Sequence, residues 1–177
     1  MTTYIAFLRG INVSGQKIIK MVELKKMFET IGFKNVRTYI QSGNVVFESA
    51  SSNSEIICKN TENGLQASLG YKVTVILRTT KEIEDIIKNN PFKTEIKNED
   101  FKLYVTMLSG SPEKAKIKEL ESIDSTGDEF ICKCREIYIL CKKGYSDTIF
   151  SNNFIEKKLG VRATSRNWNT MNKILAI

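Results

Sequence analysis

The chain has 177 residues, 41% of them hydrophobic, with nine Phe, two Pro, no His and a net charge of +7. That length supports one substantial domain or two small ones, and no apolar run reaches the roughly 18 residues a membrane helix needs. The lack of His excludes His-based triads, proton shuttles and metal centres, so any acid–base chemistry falls to Asp, Glu, Lys, Tyr or Cys.

Residues 4–8 form an apolar run that reads as a central strand buried on both faces. Residues 10–20 read as a long polar loop. Met21, Leu24, Phe28 and Ile31 recur at helical spacing and Gly32 stops that helix. Residues 36–40 and 44–47 are β-type runs joined through Ser42-Gly43, a hairpin connection in which Gly supplies a positive φ. Ser54 is suited to cap a helix running to about Leu69, and Gly70 ends it. Its thin stripe of Ile57, Leu65 and Leu69 predicts a surface-lying helix. A strand follows at 72–77. Thr79 with Glu82 makes a capping box for a short helix through Ile83, Ile86 and Ile87.

The order strand, helix, strand, strand, helix, strand is that of a split βαβ plait, and Pro91 breaks the chain after it. The order then repeats. A strand is predicted at 102–108, and Ser111-Pro112-Glu113 reads as a helix start. Residues 130–133 and 136–140 form a second hairpin. A helix spans 147–159 up to Gly160, and a short strand covers 162–164. Trp168, Met171 and Leu175 mark a last helix capped by Thr164 or Ser165. The expected fold is α+β: two tandem ferredoxin-like (βαββαβ) plaits, mostly antiparallel, with helices on one face and a C-terminal helix. The first plait would cover residues 1–95 and the second 96–177. A single continuous sheet is the alternative.

Cys58, Cys132, Cys134 and Cys141 lie in a chain whose N-terminus has no secretion-signal pattern, so a cytoplasmic protein with reduced thiols is expected. Zinc sites use two-residue Cys spacings and a fourth ligand, which this pattern lacks; small apolar fillers are the simpler reading. No metal or cofactor is expected. The charge is uneven: residues 1–50 and 151–177 each carry +4, and residues 51–150 carry −1. If the fold gathers both ends, one face is basic and suits an anionic partner.

Three stretches carry polar chemistry. In Arg9-Gly10-Ile11-Asn12-Val13-Ser14-Gly15, the glycines permit turns that expose backbone N–H groups to an anion, and Arg9 and Lys17 add charge. The ending of a nucleotide P-loop is missing. Gln41, Ser42 and Asn44 cluster at the hairpin near Tyr39, as ordinary turn residues do. Arg166-Asn167-Trp168-Asn169-Thr170 is expected at a helix start, where Arg166 is suited to phosphate or carboxylate. Each has a plain structural alternative: loop closure, turn formation, and a capped, Trp-anchored helix.

These motifs, with 36–47 as a whole, Thr164-Ser165 and Asn90-Pro91-Phe92, resemble the bacterial domain-of-unknown-function family 1697 over nearly the full chain. The family often has Gly-Gly-Lys where this chain has Ser14-Gly15-Gln16, and Pro where it has Lys20. The resemblance implies tandem αβ plaits and no particular reaction.

The expected function is an anion-binding module for a phosphorylated small molecule or nucleic acid, with contacts from Arg9, Asn12, Lys17, Gln41, Asn44, Arg166 and Asn167. The alternative is a His-free, metal-free enzyme whose anionic substrate is positioned by Arg9 and Arg166. No paired carboxylates or nucleophile–base couple support catalysis. Nor does the chain carry the Lys/Arg-Gly-aromatic pattern of an RNA-binding plait; Tyr4, Phe7 and Phe47 read as core. No membrane partner is expected, and the oligomeric state stays open.

Overall fold

The apolar run at 4–8 becomes the inner strand β1 (Thr2–Leu8), whose Tyr4 to Leu8 side chains are all buried. This is the arrangement in a computed structural model that describes every residue except 14, 16, 126 and 143. Helix α1 (Met21–Ile31) ends on Gly32 in left-handed conformation, and its N–H bonds back to Glu29 and Phe28. Strands β2 (Lys34–Tyr39) and β3 (Asn44–Ser49) form the hairpin. Helix α2 (Ser54–Leu69), strand β4 (Val75–Thr79) and helix α3 (Thr80–Lys88) follow. The sheet order is β2-β3-β1-β4, antiparallel throughout.

The order recurs with β5 (Lys102–Leu108), α4 (Lys114–Glu121), β6 (Glu129–Lys133), β7 (Glu136–Cys141), α5 (Asn152–Leu159) and β8 (Ala163–Asn167). These strands form a second antiparallel sheet in the order β6-β7-β5-β8, and helix α6 (Trp168–Lys173) comes after it. The chain is therefore mixed α+β, with two four-stranded antiparallel sheets. It clusters into two compact units, Met1–Glu84 with Ile174–Ile177, and Asp85–Lys173. Among the described residues no helix is long and apolar enough to cross a membrane.

In the first unit, one face of the sheet packs on α1 and α2. Phe47 packs on Phe33 with the rings tilted by 35° at a centroid distance of 4.3 Å and meets Phe28 edge-on at 5.4 Å. Helices α1 and α2 approach at Gly64, where a Cβ would come within 2.5 Å of Ile31 Cγ1. In the second unit, Leu108, Ile137, Ile139 and Ala163 of the sheet meet Leu120 of α4 and Ile155 and Leu159 of α5. Tyr4, Phe7 and Phe47 are all buried, so no ring of β1 or β3 forms an exposed stacking platform.

Several boundaries differ from the sequence expectation, each for a local reason. Asn53, not Ser54, caps α2: its Oδ1 accepts from the N–H groups of Glu55 and Ile56 at 3.0 and 3.1 Å. That helix buries Ile57, Thr61 and Leu65, more than a surface-lying helix would. Helix α4 starts at Lys114, because Glu113 is still extended at ψ 139°. Helix α5 starts at 152 rather than 147: Thr148 Oγ1 takes the Phe150 N–H into a local turn, and Ser151 caps the helix. Strand β8 runs on to Asn167, so Arg166 lies in a strand and not at a helix start. Asn167 Oδ1, rather than Thr164 or Ser165, accepts the Thr170 N–H and begins α6.

Candidate functional site

The loop between β1 and α1 is built around Asn12. Its backbone is left-handed at φ 53°, which Asn tolerates better than other side-chain-bearing residues. Its amide makes three bonds. Nδ2 donates to the carbonyls of Ile19 at 3.1 Å and Gln41 at 2.8 Å, and Oδ1 accepts the Ile19 N–H at 2.7 Å. The Asn12 N–H reaches the Lys17 carbonyl at 3.1 Å. Loop and hairpin are therefore joined through one side chain, with Ile11 and Ile19 buried beneath.

The mouth of the loop is fixed on both sides. The Leu8 N–H donates to the Gly43 carbonyl at 2.8 Å, and the Arg9 N–H to the Thr74 carbonyl at 2.9 Å. Left-handed backbone recurs at Gly10, Gly15, Lys17, Ile40 and Gly43. For a β-branched residue such as Ile40 this conformation is strained. Gly43 has a second constraint, since a Cβ there would lie 2.6 Å from Ile11 Cδ1.

The expected contact residues divide by role. Lys17 is exposed and holds its ammonium 5.1 Å from the centre of the Tyr71 ring. Arg9 is half-buried and Gln41 exposed. Asn44 is fully buried, with Nδ2 on the Tyr39 carbonyl and on Ser42 Oγ, both at 3.0 Å. The structure brings Asn12 against Gln41 and sets Asn44 inside the hairpin. Ser14 and Gln16, named in the loop motif, lie outside the described residues.

Arg166 and Asn167 belong to the second unit. Arg166 is buried in β8, and its NH1 donates to Thr164 Oγ1 at 2.9 Å and to the Ser165 carbonyl at 2.8 Å. Burial pulls the guanidinium down to about 10, against the raising effect of Tyr145; it stays protonated at neutral pH. Beside it runs a polar chain in which Ser165 Oγ meets Thr106 Oγ1 and Tyr145 OH at 2.7 Å and Asn152 Oδ1 at 2.8 Å.

Sequence reasoning missed a cavity of about 530 Å³ in this unit, lined by residues 96, 98–99, 101–104 and 167–169. It lies over the Tyr104–Asn167 pair of β5 and the edge strand β8. Tyr104 and Trp168, both half-buried, supply aromatic surface, and Asn167 and Asn169 supply exposed amides. Only Trp168 and its Asn neighbours signalled it in sequence; the other wall comes from the strand start near Lys102.

Cys132 and Cys141 are not poised as nucleophiles. Burial, with Asp128 nearby, pushes the Cys141 thiol up to about 12, although a Thr148 hydrogen bond works the other way. Burial and Glu121 push Cys132 up to about 11.

Comparison with known proteins places the chain by fold and family. A family model described as "Protein of unknown function (DUF1697)" matches residues 1–138. The match takes in the loop and hairpin and ends before β8. No curated protein matches the chain. Among solved structures it is similar to the conserved bacterial protein SP0830 from Streptococcus pneumoniae, with a TM-score of 0.79 and 23% identity. The likeness covers 99% of this chain and 97% of that one. At that identity it speaks to fold.

Proposed function

The chain belongs to the DUF1697 family of proteins of unknown function, and from that premise we propose that it is a binding module for a phosphate-bearing ligand, held by the loop of the first unit. The observation that carries this reading is the clamped loop itself. Left-handed residues at 10, 12, 15 and 17 give the backbone geometry from which anion-binding nests are made, and Asn12 holds it rigid. Lys17 and Arg9 bring positive charge to the same segment. Gln41, tied to the loop through its carbonyl, leaves its side-chain amide at the rim. Asn12 and Asn44 act as supports. Arg166 and Asn167 serve the second unit, and the loop site needs neither.

We also read each unit as a ferredoxin-like plait. What supports this is the shared βαββαβ order and the pairing of the third strand between the first and second in both sheets.

The test is titration of the intact chain with inorganic pyrophosphate at low salt, followed by amide chemical shifts. Shifts confined to residues 9–20 and 40–43, and lost in Lys17→Ala, are expected. Binding should weaken steeply as salt rises. No shifts at low salt, or shifts untouched by Lys17→Ala, would refute the reading.

A further inference from the structure

We propose that the cavity over β5 and β8 is a binding site for a purine nucleotide, its base stacked on Trp168. This goes beyond the loop site and does not depend on it, because the cavity is lined wholly by the second unit.

Its size comes first. A volume of about 530 Å³ falls within the range of small-molecule sites. Its chemistry comes second. Trp168 offers flat apolar surface, and bases stack on such rings whatever their identity, while the Tyr104 ring in the same wall packs on Tyr145 at 4.7 Å between centroids. Asn167 and Asn169 each present a side-chain amide, which pairs a donor with an acceptor as the edge of adenine does. Asn167 Oδ1 already accepts the Thr170 N–H, so its Nδ2 remains to donate. Among the described residues the Trp168 indole N–H meets no hydrogen-bond acceptor. Glu99 and Lys102 complete the wall. A carboxylate suits ribose hydroxyls, and the exposed Lys102 ammonium, which donates one N–H to the Glu99 carbonyl at 2.9 Å, keeps two more for a phosphate. A sugar phosphate without a base would leave the aromatic floor unused.

The chain has one Trp, so Trp168 emission reports on the cavity directly. The experiment titrates the intact protein with adenosine 5′-monophosphate, adenosine, ribose 5-phosphate and inorganic phosphate. Saturable quenching by the two adenine compounds and none by the other two is expected. Asn169 is exposed, so Asn169→Ala leaves the fold in place; it should weaken both adenine compounds about tenfold, the loss of one amide's hydrogen bonds. The monophosphate should bind more tightly than adenosine, and Lys102→Gln should erase that difference. No saturable quenching, quenching by ribose 5-phosphate alone, or affinity unchanged in Asn169→Ala would overturn the site. Equal affinity for the two adenine compounds would overturn the role of Lys102. Lys17→Ala leaves these results unchanged, which separates this outcome from that of the loop.

Discussion

Arg78 and Arg166 occupy the same register position in the last strand of their sheets. Arg78 lies opposite Ile5 of β1, and Arg166 opposite Val105 of β5. Each is buried and donates NH1 to the carbonyl of the residue before it, at 2.8 Å in both cases. Two units without evident sequence identity thus share a buried guanidinium folded back on its own strand.

At Arg166, replacement by Ala should cost about 2–4 kcal/mol, because the Thr164 hydroxyl loses its donor and the stem leaves a void. Arg166→Met keeps most of the stem packing and should cost less. Urea unfolding followed by Trp168 emission measures both. Equal losses would assign the whole effect to the charged head.

Asn12→Ala removes all three side-chain bonds of the loop clamp. A loss of about 2–3 kcal/mol is expected, with faster amide exchange concentrated at residues 12–19. Asn12→Asp keeps the acceptor for Ile19 but loses both donors, so it should fall between wild type and Ala. Uniformly faster exchange across the first unit would count against a local clamp.

Gly10 and Gly43 share a left-handed backbone but differ in space. A Cβ at Gly10 meets nothing within 4 Å, whereas one at Gly43 collides with Ile11 Cδ1 at 2.6 Å. Gly10→Ala should cost about 1 kcal/mol from backbone strain alone, and Gly43→Ala about 2–4 kcal/mol. Thermal unfolding of the two variants side by side decides it, and equal melting temperatures would contradict the close approach.

The thiols make a prediction about pH. The folded chain holds the Cys132 and Cys141 protons to about 11 and about 12, above the ordinary value near 8.5. Folded groups that bind protons more tightly contribute stability that is complete below the unfolded pKa and is lost as pH rises through the folded one. Stability from this source should therefore decline from about pH 9 upward. In native protein at pH 8, an aromatic disulfide reagent should modify exposed Cys134 first and leave buried Cys141 until unfolding. Equal rates for the two would refute the assignment.

What could be read from sequence was what is local. The Thr79–Glu82 box forms as spaced, with Glu82 Oε2 accepting the Thr79 N–H at 2.7 Å and Thr79 Oγ1 accepting the Glu82 N–H at 3.2 Å. Glycine stops at 32, 70 and 160 are all left-handed caps. Where two good caps stood side by side, as at Asn53-Ser54, spacing alone did not choose between them. Arg166 was misplaced because a charged residue beside Asn and Trp suggests a helix start, and burial of a guanidinium in a strand leaves no periodic trace. The Asn12–Gln41 bond joins segments 29 residues apart. The cavity pairs a strand start with a helix start from opposite ends of its unit. Such meetings depend on tertiary structure.

The placement of Ile174–Ile177 has a consequence for synthesis. These residues cluster with the first unit; Ile174 is buried, and the Ile177 carbonyl accepts a hydrogen bond from Arg37. The second unit is thus an insertion within the first. During translation the inserted portion is made in full before its host can finish closing. The N-terminal portion can complete its packing only once Ile174–Ile177, which follow the inserted unit along the sequence, have been made.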